Sequence, residues 1–187
     1  MLFRSGWTFG YLGGAGDHRK RLSGHGTYSK LSDKVAAVSP GWILTGIRKY
    51  ERISGDERYR PVVEKALRFL DQIWRDDWGF DDSVNRGIFK EAINVLGLWN
   101  WQDLYPAAGG LMDRAVCALT ENSRWWNARE KFWLATVGGG AVTSATANLL
   151  TSCALLEVKG ECFAETHIKP AIDTLLASDS YRCSHNK

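Results

Sequence analysis

An all-α fold is predicted, with three helical hairpins forming a partial α/α toroid. Three observations carry it. Apolar residues recur at helical spacing through most of the chain. The stripes Ala66-Leu67…Leu70, Ala115-Val116…Leu119 and Ala171-Ile172…Leu175 repeat at steps of about 50 residues. Helices apolar nearly all round alternate with amphipathic ones. A helix apolar on every side is buried on every side, so the first helix of each pair should lie inside and the second outside.

In chain order, residues 42–53 read as the first helix, with Ile43, Ile47 and Tyr50 on one face and Ser54-Gly55 ending it. Val63, Ala66, Leu67, Leu70, Ile73 and Trp74 form the stripe of the second. Pro61 suits its first turn, and Asp56 is the expected N-cap. Residues 88–101 are apolar almost all round, and Tyr105-Pro106 breaks them from the stripe Met112, Ala115, Val116, Leu119. Residues 142–158 are again broadly apolar. Lys159-Gly160-Glu161 separates them from the last stripe, where Pro170 should kink the helix or start it late. Gly55 and Gly160 each stand eleven residues before the matching alanine.

The chain of 187 residues is long enough for a sizeable core. With 44% hydrophobic and 24% charged residues it is neither disordered nor low-complexity. A net charge of +3 argues for neither nucleic acid nor membrane, and no apolar run reaches spanning length. Cys117, Cys153, Cys162 and Cys183 lack paired metal-ligand spacing. Cys117 and Cys153 lie in apolar runs and are expected to be small buried hydrophobes. No metal or other cofactor is called for.

Links within hairpins are short, whereas those at about residues 22–40, 75–87 and 123–140 are long. In an alternating arrangement the long links share one end of the helices, where a scaffold usually carries its site. Four of the nine Trp fall in the last two of these loops. Trp78, Trp125, Trp126 and Trp133 are the candidate stacking surfaces for sugar rings, with Asn127 and Arg129 as hydroxyl or carboxylate partners. Asp76, Asp77, Asp81 and Asp82 offer the paired carboxylates that glycoside hydrolysis needs. His25 and Tyr28, in a Gly-rich loop, suit the proton transfers of a lyase acting on uronic-acid sugars. Gly138-Gly139-Gly140 lacks the Lys-Ser/Thr of a P-loop and is expected to serve close packing. His18-Arg19-Lys20-Arg21 reads as a solvated basic run.

The segment 41–59, Gly-Trp-Ile-Leu-Thr-Gly-Ile-Arg-Lys-Tyr-Glu-Arg-Ile-Ser-Gly-Asp-Glu-Arg-Tyr, with the helix that follows to Trp74, resembles repeat hairpins of the six-hairpin glycosidase-like superfamily. The resemblance covers about residues 41–178 and implies a toroid that acts on carbohydrate, as glycoside hydrolases, polysaccharide lyases and sugar epimerases of that superfamily do. It assigns no catalytic residue. A non-catalytic module that binds a sugar or a protein is the alternative to an enzyme. The acid spacing fits neither terpene-cyclase motif, and the Cys-His pair of a lanthionine-cyclase-like zinc site is missing.

Residues 1–40 are expected to be an N-terminal segment with the first long loop, residues 41–178 the toroid repeats and residues 179–187 a tail. Leu2-Phe3-Arg4-Ser5 back-translates to the end of a common sequencing adaptor, so residues 1–5 are expected to be non-native. Three hairpins make half of a six-hairpin ring. The expected partners are therefore an oligo- or polysaccharide and either the rest of the ring or another chain over the exposed inner helices.

Overall fold

The computed structural model describes residues 38–77, 79–81, 87–134 and 145–177. These residues are mostly helical, as the sequence predicts. The first hairpin is α1 (Val38–Ser54) and α2 (Arg60–Ile73), followed by two short strands, β1 (Trp74–Arg75) and β2 (Gly79–Phe80). The second is α3 (Ile88–Trp99) and α4 (Pro106–Glu121), followed by β3 (Trp126–Asn127) and β4 (Phe132–Trp133). The third starts with α5 (Ala145–Lys159). A 3-10 turn (Gly160–Phe163) and a π turn (Ala164–Ile168) lead into α6 (Lys169–Ala177). Pro170 stands at the second position of α6, so that helix starts late, as its ring requires. Gly55 and Gly160 close α1 and α5 in the left-handed conformation (φ 69° and 56°), the conformation glycine adopts most readily.

The first helices form a row: α3 packs between α1 and α5, and each second helix packs on its own partner. At the crossing of α1 and α3 the backbones nearly touch, and a Cβ on Gly97 would lie 2.7 Å from the Gly41 Cα. The direction of both helices is the same, because Gly41 meets Asn94 and Gly97 while Arg48 pairs with Asp103 farther along. Burial of α3 follows the all-round pattern, from Ile88, Ala92 and Ile93 to Val95 and Leu98. α5 departs from it. Leu149, Cys153 and Leu156 are exposed, so one side of that helix is open.

At the end with short links, buried Arg48 and Glu51 of α1 bind each other (3.1 Å), and Glu51 also binds Arg60 of α2 (3.0 Å). Arg48 reaches Asp103 in the next hairpin and lies 5.0 Å over the Trp101 ring. Trp101 donates its indole N–H to the Leu44 carbonyl (2.8 Å). The charged cluster therefore joins two hairpins rather than only decorating a surface.

Two local expectations are corrected. Asp56 does not cap α2, whose N-cap is Tyr59 with no side-chain cap bond. Asp56 instead accepts the Arg58 backbone N–H (3.0 Å) and the Tyr50 hydroxyl (2.8 Å), organising the turn that precedes the helix. Cys117 and Cys153 are exposed, as is Cys162, because each lies on the polar or open side of its element. Residues 1–37, with the basic run at 18–21, and Gly138-Gly139-Gly140 and Cys183 lie outside the described residues. Among the described residues no helix is long and apolar enough to cross a membrane.

The α1–α3 crossing yields a contrast. Gly97→Ala should cost about 1–3 kcal/mol, because two backbones have to part. Gly110→Ala, exposed on α4 with nothing within 4 Å of the new carbon, should gain about 0.5–1 kcal/mol. Denaturant unfolding of the two variants measures both.

Candidate functional site

Each described inter-hairpin loop starts as a short antiparallel pair. In the first, Trp74 pairs with Phe80 and Arg75 with Gly79. In the second, Trp126 pairs with Trp133 and Asn127 with Phe132. The facing rings touch in both, at 5.0 Å for Trp74–Phe80 and 4.9 Å for Trp126–Trp133. Aromatic cross-strand pairs stabilise such ladders, but two residues a strand is too short to stand alone.

The first helix of the next hairpin supplies the missing support. Glu91, the fourth residue of α3, accepts the Phe80 backbone N–H on both carboxylate oxygens at 3.2 Å. Asn148, the fourth residue of α5, accepts the Trp133 N–H (2.7 Å) and donates to the Trp133 carbonyl (2.9 Å). Both side chains are buried, at 1% and 0% exposure, with Lys90 beside Glu91 at 3.9 Å. Gly79 is required by this arrangement. Its φ is 85°, and a Cβ would stand 2.6 Å from a Glu91 oxygen.

The two loops meet at one end of the helices. Asn122, just past α4, donates its amide N–H to the Asp77 carbonyl (3.2 Å), while its own carbonyl accepts the N–H groups of Trp125 and Trp126 (2.9 Å each). The positions of Asp77 and Trp125 agree with the one-face expectation. His25, the third residue of that expectation, lies outside the described residues.

A cleft of about 440 Å3 opens beside this junction. Its lining includes Trp74 and Asp76 from the first loop and Arg114, Cys117, Glu121 and Asn122 from α4 and its end. The Trp74 indole N–H donates to Asp76 (2.7 Å). The Arg114 guanidinium lies 5.5 Å over the Trp74 ring and binds Asp71 (3.3 Å). Cys117 binds Glu121 (3.2 Å), and this hydrogen bond, with some burial, pushes the thiol above its ordinary pKa. The cleft thus presents two carboxyl groups, one guanidinium and one amide. Among the described residues no cluster of His, Cys, Asp or Glu is arranged to hold a metal.

The sequence candidates divide sharply. Asp76, Asp77 and Asp81 are exposed at the junction, and Asp76 reaches the cleft. Asp82, Trp78, His25 and Tyr28 lie outside the described residues. Trp125, Trp126 and Trp133 are buried at 1%, 7% and 0% exposure. Their ring faces are covered by protein, so here they pack the core and present no stacking platform. Trp133 gives its indole N–H to the Leu119 carbonyl (2.8 Å), and Trp126 lies 4.5 Å from the His167 ring. His167, on the π turn, contacts the Thr120 carbonyl through Nε2 (3.0 Å) and so ties the third hairpin to the second. Trp125 and Trp126 are not helical but belong to a turn and a strand. The side-chain Oδ1 of Asn127 is occupied by the backbone N–H groups of Arg129 (3.2 Å) and Glu130 (3.0 Å). Arg129 remains exposed.

Arg114, Cys117, Glu121 and Asn122 were not among the sequence candidates. A signal was present: Arg114, Cys117 and Glu121 follow at i, i+3 and i+7 on the side of α4 away from its apolar stripe. Compared with known proteins, the chain matches no family model, no curated protein and no solved structure.

The Cys117–Glu121 bond is open to a direct check. A raised thiol pKa leaves less thiolate at mildly alkaline pH, and thiolate is the reactive form. Glu121→Gln should therefore speed alkylation of Cys117, read by mass spectrometry of the labelled peptide. An unchanged rate would mean that the hydrogen bond does not control the thiol.

Proposed function

We propose that the chain is an arc of an α/α toroid that acts on an oligo- or polysaccharide, with glycoside hydrolysis as the reaction. The observation that carries this reading is the junction of the two loops at one end of the hairpins. There Asp76 and Glu121, from different elements, line one open cleft. Hydrolysis of a glycosidic bond uses two carboxyl groups across the scissile bond, one as acid and one as base or nucleophile. Arg114 and Asn122 supply N–H donors suited to sugar hydroxyls. The row α1, α3, α5 with the second helices packed on it supports the arc, and the open cleft favours a chain substrate over a fully enclosed small molecule.

The test is release of reducing ends from a panel of oligo- and polysaccharides. Asp76→Asn and Glu121→Gln should each lower kcat by about 100-fold or more while sugar binding survives. Ultraviolet absorbance from an unsaturated product would replace hydrolysis by elimination, the chemistry for which His25 and Tyr28 are suited. Binding without turnover would make the chain a sugar-binding module. Neither binding nor turnover across the panel would overturn the carbohydrate reading.

A further inference from the structure

A second cavity, of about 280 Å3, lies between α2 and α4 against the C-terminal part of α3. It shares no lining residue with the cleft. Leu67 of α2 belongs to the apolar stripe of that helix, yet it stays half-buried because it faces this space. Leu98 of α3 and Leu111 of α4 line the cavity while being only 0% and 3% exposed, so it is let into the core rather than laid on a surface. The charges on its α2 side are balanced. Glu64 stands 3.9 Å from Arg68, and Asp71 binds Arg114 of the cleft (3.3 Å). Tyr105, in the link before α4, is the remaining polar group of the lining. Its ring lies 6.0 Å from the Trp101 ring, and among the described residues no group is hydrogen-bonded to its hydroxyl. Burial, and after it the Glu64 carboxylate, raises this phenol above its ordinary pKa, so it stays protonated and able to donate.

We propose that this cavity is a binding site for a small neutral phenol. Three features of the lining select that chemistry. The leucine walls take an apolar body, and a flat ring gains further contact with the Tyr105 ring. The paired charges at the mouth leave none over for an ion, and burying an unpaired ion against these walls would be costly. The free Tyr105 hydroxyl calls for one acceptor, which the hydroxyl of the ligand supplies. The volume lies below that of pockets for drug-sized molecules and suits about ten non-hydrogen atoms. The site stands apart from the carbohydrate reading, because the cleft and the cavity are separate spaces with the Asp71–Arg114 pair joining their linings.

An NMR titration of the full chain with 4-propylphenol, following the methyl groups of Leu67, Leu98 and Leu111, tests this. Their shifts should saturate with one molecule bound and a Kd of about 1 mM or tighter. Tyr105→Phe keeps the ring and removes the donor, and should weaken binding about five- to tenfold. Leu67→Trp fills the space from its half-buried side and should abolish saturation. The anion 4-propylbenzoate should bind the unaltered protein at least about tenfold more weakly than the phenol. Shifts that do not saturate, or an affinity undiminished in either variant, overturn the site. Tighter binding of the benzoate overturns the neutral class of ligand. Saturable phenol binding in a chain that releases no reducing ends supports the site while the carbohydrate reading falls.

Discussion

Two buried polar side chains, Glu91 and Asn148, hold the inter-hairpin loops to the helices that follow them. Each stands one turn into the first helix of a hairpin and takes the backbone N–H of the last aromatic strand residue before it. An uncompensated carboxylate or amide at that depth would be costly, so the loop must return to the same place for the side chain to be satisfied. The consequences spread outward. Fixing Phe80 fixes Trp74 across the ladder, and Trp74 floors the cleft and orients Asp76. Fixing Trp133 fixes Trp126, against which His167 and the third hairpin pack. The same device occurs at both described inter-hairpin joints, which makes it a property of the repeat.

The other end of the hairpins is held differently. There the links are short, and Arg48, Glu51, Arg60 and Asp103 connect helices through charge and hydrogen bonding. Between the two ends, Gly41 and Gly97 let α1 and α3 approach backbone to backbone. The scaffold is thus fixed at both ends and close-packed between. Such a scaffold lets exposed groups on its loops, Asp76 and Asp77 among them, keep a constant position without forming a core of their own.

The helices were legible because period and punctuation agree. The stripe from Val63 to Trp74, the near-total burial of α3 and the glycines at 55 and 160 are local signals, and local physics decided them. The site was legible only in part. Asp76 stands out in the sequence by the density of acids around it, whereas Glu121 does not, because its relation to the cleft spans 45 residues of chain. The tryptophans misled for a related reason. An indole beside polar residues in a loop reads as a ligand surface, but Trp125, Trp126 and Trp133 are turned inward by a ladder and an amide latch that only the fold reveals. Nor does the helical period show that Cys153 and its leucine neighbours lie on an open edge. That depends on how many helices stand in the row.

Hydrogen exchange at the Phe80 and Trp133 amides tests most directly whether Glu91 and Asn148 latch the loops to the helices. Both amides sit in ladders of two residues a strand, which would exchange quickly if the loops were held by the ladders alone. With the latch in place they should exchange as slowly as amides in the middle of α3, through global unfolding. Asn148→Ala should then release Trp133 and leave Phe80 protected. Rapid exchange of both amides in the unaltered protein would mean that Glu91 and Asn148 do not hold the loops.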